Sequence, residues 1–152
     1  MQDFNKIKNI YFIGVAGTGM SALAQYCKGI GKNISGSDRY FGINDASEIQ
    51  TQLEDFGIAC FAQNGIGINS LLDLIVISTA VEETNIEVLK AKELNIPIIK
   101  RSQLLTIISN TKKTIAIGGT SGKSTTTAML FDILEFAGLQ PSIISGAGLV
   151  RL

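Results

Sequence analysis

The 152 residues contain no histidine and no tryptophan. Without histidine, Ser-His-Asp chemistry and histidine-ligated metal centres are excluded within this chain. Cysteine is scarce, with two residues, Cys27 and Cys60, one in an expected helix and one in an expected strand. Buried free thiols in a reducing compartment account for them better than a disulfide framework does. Net charge is absent: 13 basic residues balance 13 acidic ones. A basic face for nucleic acid is therefore not expected. No apolar run approaches membrane-spanning length. The opening Met1–Lys6 is polar and carries no apolar leader, so a cytoplasmic location is expected. Apolar residues nonetheless make up 45% and charged residues 17%, the balance of a chain with a buried core.

Glycine is plentiful, at 16 residues, and two of its clusters follow apolar runs. The more specific cluster is Gly119-Thr120-Ser121-Gly122-Lys123-Ser124-Thr125, which follows Thr114–Ile117 and precedes a helical pattern from Thr126. A strand, a glycine loop and a helix in succession make a phosphate-binding turn. Backbone N–H groups point at phosphate oxygens, the helix N-terminus adds partial positive charge, Lys123 adds a full one, and the Ser124 hydroxyl can ligate Mg²⁺. The general pattern G-x-x-x-x-G-K-[ST] places a glycine at position 117, where this chain has Ile117.

The other cluster opens the chain. Asn9–Ile13 is a short apolar run, as in a strand buried on both faces. Gly14-Val15-Ala16-Gly17-Thr18-Gly19-Met20-Ser21 follows at once, and a helix is expected to begin near Gly19. Met20, Leu23, Ala24, Cys27 and Ile30 share its apolar face. Asn33–Asp38 reads as a second strand ending in an acid. The dinucleotide fingerprint G-x-G-x-x-G requires glycine at 14, 16 and 19, and Ala16 interrupts it where the backbone must approach a pyrophosphate. The spacing supports a diphosphate over a helix N-terminus, with Asp38 placed to accept from a ribose or a base, or to be a solvated strand-end acid.

Further along, helices are expected over residues 44–57 (apolar face Ala46, Ile49, Leu53, Phe56), Thr84–Leu94 and Gln103–Ile108, the last capped by Ser102. Strands are expected at Ile58–Phe61, Leu74–Ser78 and Ile96–Ile99. Ser78, Thr79 and Ala80 end the clearest strand, where open parallel sheets bind ligands and where turns also favour such residues. Arg101 ends another, placed either to meet a carboxylate or phosphate or to be a surface arginine. Ser109–Lys113 reads as a linker. A helix with Leu130, Ile133, Leu134 and Ala137 on one face follows the phosphate loop, then a strand from Ser142 to Ser145. The expectation is an α/β fold: a Rossmann-like parallel sheet over residues 1–108, then the start of a P-loop ATPase domain over 109–152. About 40 residues do not bury a core of their own, so that second domain is expected to be incomplete. Its exposed strand edge could pair with a second copy as a homodimer.

Two phosphate-binding turns on successive domains resemble the Mur ligases of peptidoglycan synthesis. The likeness is carried by Phe12–Ser21, Ser35–Asp38 and Ala116–Thr127. Individually these are weak; together they are specific and cover nearly the whole chain. The resemblance implies an ATP- and Mg²⁺-dependent ligase. It would join L-alanine or a peptide to the lactyl carboxylate of UDP-N-acetylmuramate through an acyl phosphate. It further implies that Gly17 to Ser21 (Gly17, Thr18, Gly19, Met20, Ser21) face the pyrophosphate and Asp38 the uridine, that Gly14, Ala16 and Ser37 also bind the UDP-sugar, and that Ser78 to Val81 (Ser78, Thr79, Ala80) line the same pocket. Gly119 to Thr125 would hold ATP, with Lys123 and Ser124 catalytic. The alanine-adding branch usually has histidine at Ser121 and near Gln63. Groups needed for ligation would lie past Leu152, so this chain alone is expected to bind a UDP-sugar without catalysing ligation. The competing expectations are an NAD-binding oxidoreductase or regulatory domain, and a non-catalytic Mur-like binding protein.

Overall fold

In the computed structural model, residues 4–42 and 47–146 are described. Ala46, counted above on a helical face, lies outside them, as do residues 147–152. The sheet has five parallel strands: β1 Asn9–Ile13, β2 Asn33–Asp38, β3 Ala59–Ala62, β4 Leu74–Ile77 and β5 Ile98–Lys100. Their spatial order is β3-β2-β1-β4-β5. The helices are α1 Thr18–Gly29, α2 Glu48–Asp55, α3 Ile86–Glu93, α4 Arg101–Asn110 and α5 Lys123–Phe136. This is the Rossmann-like arrangement expected from the alternating pattern.

Both faces of the sheet are covered, which is why its central strands are continuously apolar. Ile10 and Phe12 of β1, Leu74 and Val76 of β4 and Ile99 of β5 pack with Leu23, Ala24 and Cys27 of α1, Leu53 of α2 and Leu104 of α4. Tyr11, Ile13 and Ile75 pack on the opposite side with Val88 and Ala91 of α3 and with Ile68 of the loop after β3. Burial raises the Cys27 thiol to about 12, and burial with a nearby Glu54 charge does the same for Cys60. Both thiols are free and held protonated at neutral pH, as their scarcity suggested.

Several boundaries shift for local reasons. The α2 helix starts at Glu48 because the Ser47 hydroxyl accepts from the Gln50 N–H. The α3 helix starts at Ile86 because the Asn85 side chain accepts from the Glu87 N–H. Ser102 is not the cap expected of α4. The helix begins at Arg101, and the Gln103 side chain accepts the Lys100 N–H at 2.8 Å. Its C-terminal end, Asn110, runs into the expected linker. The two strands expected late in the chain do not form: Thr114–Ile117 and Ser142–Ser145 carry no strand assignment. A strand needs a neighbour to satisfy its N–H and C=O groups, and the five-stranded sheet offers these segments none. The strand edge invoked for pairing with a second copy is therefore absent among the described residues. The α5 helix forms with no buried residue, leaving Met129, Ile133 and Phe136 exposed.

At the sheet's centre, β2 crosses β1 closely at Gly36. A Cβ there would lie 2.7 Å from the Phe12 carbonyl oxygen and 2.9 Å from the Val15 Cβ. Neither neighbour is a flexible side-chain end. Gly36→Ala is expected to lower stability by about 2 kcal/mol through overpacking, read as a reduced midpoint in urea unfolding at unchanged slope; an unchanged midpoint would show that β2 moves away at no cost.

Candidate functional site

The chain runs outward from β1 in both directions, to β2 and β3 on one side and to β4 and β5 on the other. The crevice between the carboxyl ends of β1 and β4 is the switch point where open α/β sheets hold ligands. Two candidate segments end there: the glycine loop after β1 and Ser78 after β4. Gly14 makes the sharp turn out of β1 with φ of +82°, a conformation that L side chains resist. A Cβ at Gly14 would stand 3.5 Å from the Ser78 Oγ.

The loop is held from beside rather than from within. The N–H groups of Gly14 and Val15 both donate to the Ser37 carbonyl, at 2.8 and 3.0 Å. The Ala16 N–H donates to Asp38 Oδ2 at 3.1 Å, and the Tyr40 N–H to Oδ1 at 3.2 Å. Asp38 is 6% exposed. Its carboxylate thus braces the loop, and it is not among the residues that border the cavity beside that loop. Gly17 is the α1 N-cap. The N–H groups of Thr18 and Gly19, in the first turn, have no helical carbonyl to donate to. Together with Met20, Ser78, Arg101 and Gly146 these residues border a cavity of about 320 Å³.

The other candidates fall in different places. The Met20 side chain is buried in the core, so it offers backbone alone. Ser21 is buried and its hydroxyl donates to the Thr18 carbonyl. Ser78 accepts the Ala80 N–H on Oγ, and Thr79 and Ala80 are exposed beside it. Ser37 is fully buried, and its hydroxyl donates to Glu87 Oε2. That directs the side chain beneath the loop, away from the cavity, and leaves its carbonyl as the part that serves the site.

Glu87 was not expected. It is fully buried, and its Oε1 also accepts from the Tyr11 hydroxyl at 3.1 Å and the Gly65 N–H at 3.4 Å. Burial holds its carboxyl above the usual carboxylate range, against the opposing pull of hydrogen bonds from Ser37, Tyr11 and Gly65 and the Lys90 charge. The one signal in the sequence is its spacing four residues before Ala91 on the apolar face of α3.

The second phosphate loop stands apart in its exposure. Gly122 caps α5 in the left-handed conformation with φ of +74°. The helix begins at Lys123, three residues earlier than expected, so the loop meets its N-terminus directly. Lys123 Nζ donates to the carbonyls of Gly119 and Thr120 at 2.7 and 3.2 Å, lying across its own loop. No cluster of three acidic, thiol or imidazole groups able to hold a metal occurs among the described residues.

Residues 9–113 match the family model described as Mur ligase family, catalytic domain. UDP-N-acetylmuramate–L-alanine ligase of Buchnera aphidicola subsp. Baizongia pistaciae is 42% identical over 142 residues, covering 93% of this chain and 28% of that one. The enzyme of the same name from Dictyoglomus turgidum is 43% identical, with 93% and 30% covered. Among solved structures, UDP-N-acetylmuramate-alanine ligase MurC from Thermotoga maritima superposes with a TM-score of 0.75 at 29% identity, covering 86% of this chain and 30% of that one. UDP-N-acetylmuramate:L-alanyl-gamma-D-glutamyl-meso-diaminopimelate ligase from Neisseria meningitides gives 0.73 at 31%, with 89% and 41% covered. The chain thus spans about 30% of the length of the curated relatives it matches.

The buried acid carries a pH dependence. Glu87 binds its proton more tightly folded than unfolded. Its contribution to stability is therefore full below the ordinary glutamate value and is lost as pH rises through the raised one. Glu87→Gln should remove that loss, so the variant gains on the parent as pH is raised in urea titrations. Glu87→Ala, which leaves the Tyr11 and Ser37 hydroxyls without an acceptor, should cost about 3 kcal/mol at low pH and less as the parent's carboxyl ionises. A parallel pH dependence in parent and Gln variant would overturn the assignment.

Proposed function

This chain belongs to the Mur ligase family, and from that premise we propose that it carries the nucleotide-sugar-binding part of an ATP-dependent ligase of peptidoglycan synthesis. The substrate is UDP-N-acetylmuramate, and the reaction joins L-alanine, or a peptide, to its carboxylate. One observation supports this most: the glycine loop stands at the switch point of the sheet, pinned by the Ser37 carbonyl and the Asp38 carboxylate. In that position the N–H groups of Thr18 and Gly19 are aimed at an anion, and the N-terminus of α1 adds its partial positive charge. Gly17 to Met20 take the diphosphate, Asp38 fixes the loop beside the uridine, and Ser78 to Ala80 form the wall from β4.

Residues 1–108 then form the UDP-sugar domain, and 109–152 lead into the ATP-binding one. The phosphate loop fits ATP: Gly122 in the left-handed region turns the backbone into the α5 N-terminus, and the loop is open. Lys123 exchanges its contacts with the Gly119 and Thr120 carbonyls for phosphate oxygens. Ser124, next to Lys123 in the first turn of α5, is the hydroxyl that would ligate Mg²⁺. The metal supplies neutralisation of phosphate charge, while the chain's own groups position and orient. A cytoplasmic location goes with substrates of this kind. The nicotinamide alternative is disfavoured by Ala16, which stands where the dinucleotide fingerprint needs its second glycine.

Calorimetric titration with UDP-N-acetylmuramate, with NAD and ATP in parallel, tests the reading. Saturable binding of the UDP-sugar is expected. Asp38→Asn keeps one acceptor oxygen but opposes a backbone N–H with an amide donor, and should weaken that binding about tenfold through the loosened loop. Preferential binding of NAD would overturn it.

A further inference from the structure

Arg101 is the first residue of α4, yet its side chain does not follow that helix into solvent. It crosses to the glycine loop. A Cβ built on Gly19 would lie 2.7 Å from Arg101 Nη1 and 3.2 Å from its Cζ. Gly19 has ordinary negative-φ backbone, so its lack of a side chain is not a demand of conformation. It is a demand of space: any other residue there displaces the guanidinium from the loop. The cavity beside it is bordered by Gly17, Thr18, Gly19, Met20, Ser78 and Gly146, and by no acidic residue among the described residues. Among the described residues the salt bridge is Lys92–Glu83, far along the chain, so no carboxylate claims Arg101.

A guanidinium laid over a helix N-terminus, without a counter-charge, is a site for a doubly acceptor anion. We propose that Arg101 is a binding residue for the diphosphate of the nucleotide sugar, pairing its fork of N–H donors with two phosphate oxygens while Thr18 and Gly19 supply backbone N–H groups from the other side. This rests on the proposed nucleotide-sugar function and adds to it a residue that reads two phosphates rather than one. It also explains Gly19 and Arg101 as a pair. The glycine admits the arginine, and the arginine supplies the full positive charge that the first phosphate loop, unlike the second with Lys123, does not carry in its own sequence.

The test compares the parent chain with Arg101→Gln and Arg101→Lys, titrated with UDP-N-acetylmuramate, UDP, UMP and inorganic pyrophosphate. Arg101 is exposed, so neither variant threatens the core. Arg101→Gln should bind UDP and the UDP-sugar about 10- to 100-fold more weakly, the range of a lost charge-assisted pair, while UMP binding changes less. Arg101→Lys should fall between, because an ammonium keeps the charge and loses the fork. Equal affinity of parent and Arg101→Gln for the UDP-sugar overturns the role of Arg101 and leaves the function standing. Pyrophosphate bound through Arg101 with no binding of the uridine ligands supports Arg101 and overturns the proposed substrate. Binding of none of the four overturns both.

Discussion

The site depends on the carboxyl end of β2. Three successive N–H groups of the glycine loop, from Gly14, Val15 and Ala16, are accepted there by the Ser37 carbonyl and the Asp38 carboxylate. A loop that binds phosphate must keep its N–H groups unspent and aimed in one direction, while its remaining backbone groups are satisfied elsewhere. The β2 end does this second task. The Gly14–Ala16 N–H groups are consumed by β2, and those of Thr18 and Gly19 are left for a ligand. Preorganisation of this kind lowers the ordering cost that binding would otherwise meet.

The same strand end is held from below. Ser37 donates to Glu87, which also engages Tyr11 on β1 and Gly65 in the loop after β3. A buried acid is costly, and an apolar residue at position 87 would leave the Tyr11 and Ser37 hydroxyls unpaired. What the acid contributes is connection: one side chain from α3 fixes two strands and a loop relative to one another. The Ser37 residue therefore works at both ends, its hydroxyl in the buried network and its carbonyl under the glycine loop. Burial has the same direction of effect on Tyr11, whose hydroxyl is held protonated well above the ordinary tyrosine range.

Much of this was legible in the residues. The unbroken apolar runs of β1 and β4 announced strands covered on both faces, and the glycine turn and acid-ended strand announced the β-α-β unit at the sheet's switch point. What was not legible is of two kinds. Helix starts moved by two to four residues where a side chain such as Ser47, Asn85 or Gln103 took a backbone N–H, a competition that periodicity does not express. Long-range pairings were invisible: nothing local in Ile86-Glu87-Val88 says that its acid reaches β2, and nothing in Lys100-Arg101-Ser102 says that its arginine crosses to Gly19. Thr114–Ile117 shows the reverse failure. Its apolar pattern is that of a strand, but a strand exists only with a neighbour to pair with, and pattern alone supplies none.

The two phosphate loops of the chain make the same point by contrast. Each has a glycine in the left-handed region, Gly14 four residues before α1 starts and Gly122 directly before α5. The first is braced by β2, bordered by β4 and α4, and followed by a helix whose Met20, Leu23, Ala24 and Cys27 are buried. The second is followed by a helix with no buried residue, and its lysine is satisfied by the carbonyls of its own loop. A glycine-rich turn acquires a defined anion site only when a strand end holds its flanks and a core holds its helix. By that criterion the loop after β1 has both supports, and residues 118–136 have the local geometry of a phosphate turn whose supports are not among the described residues.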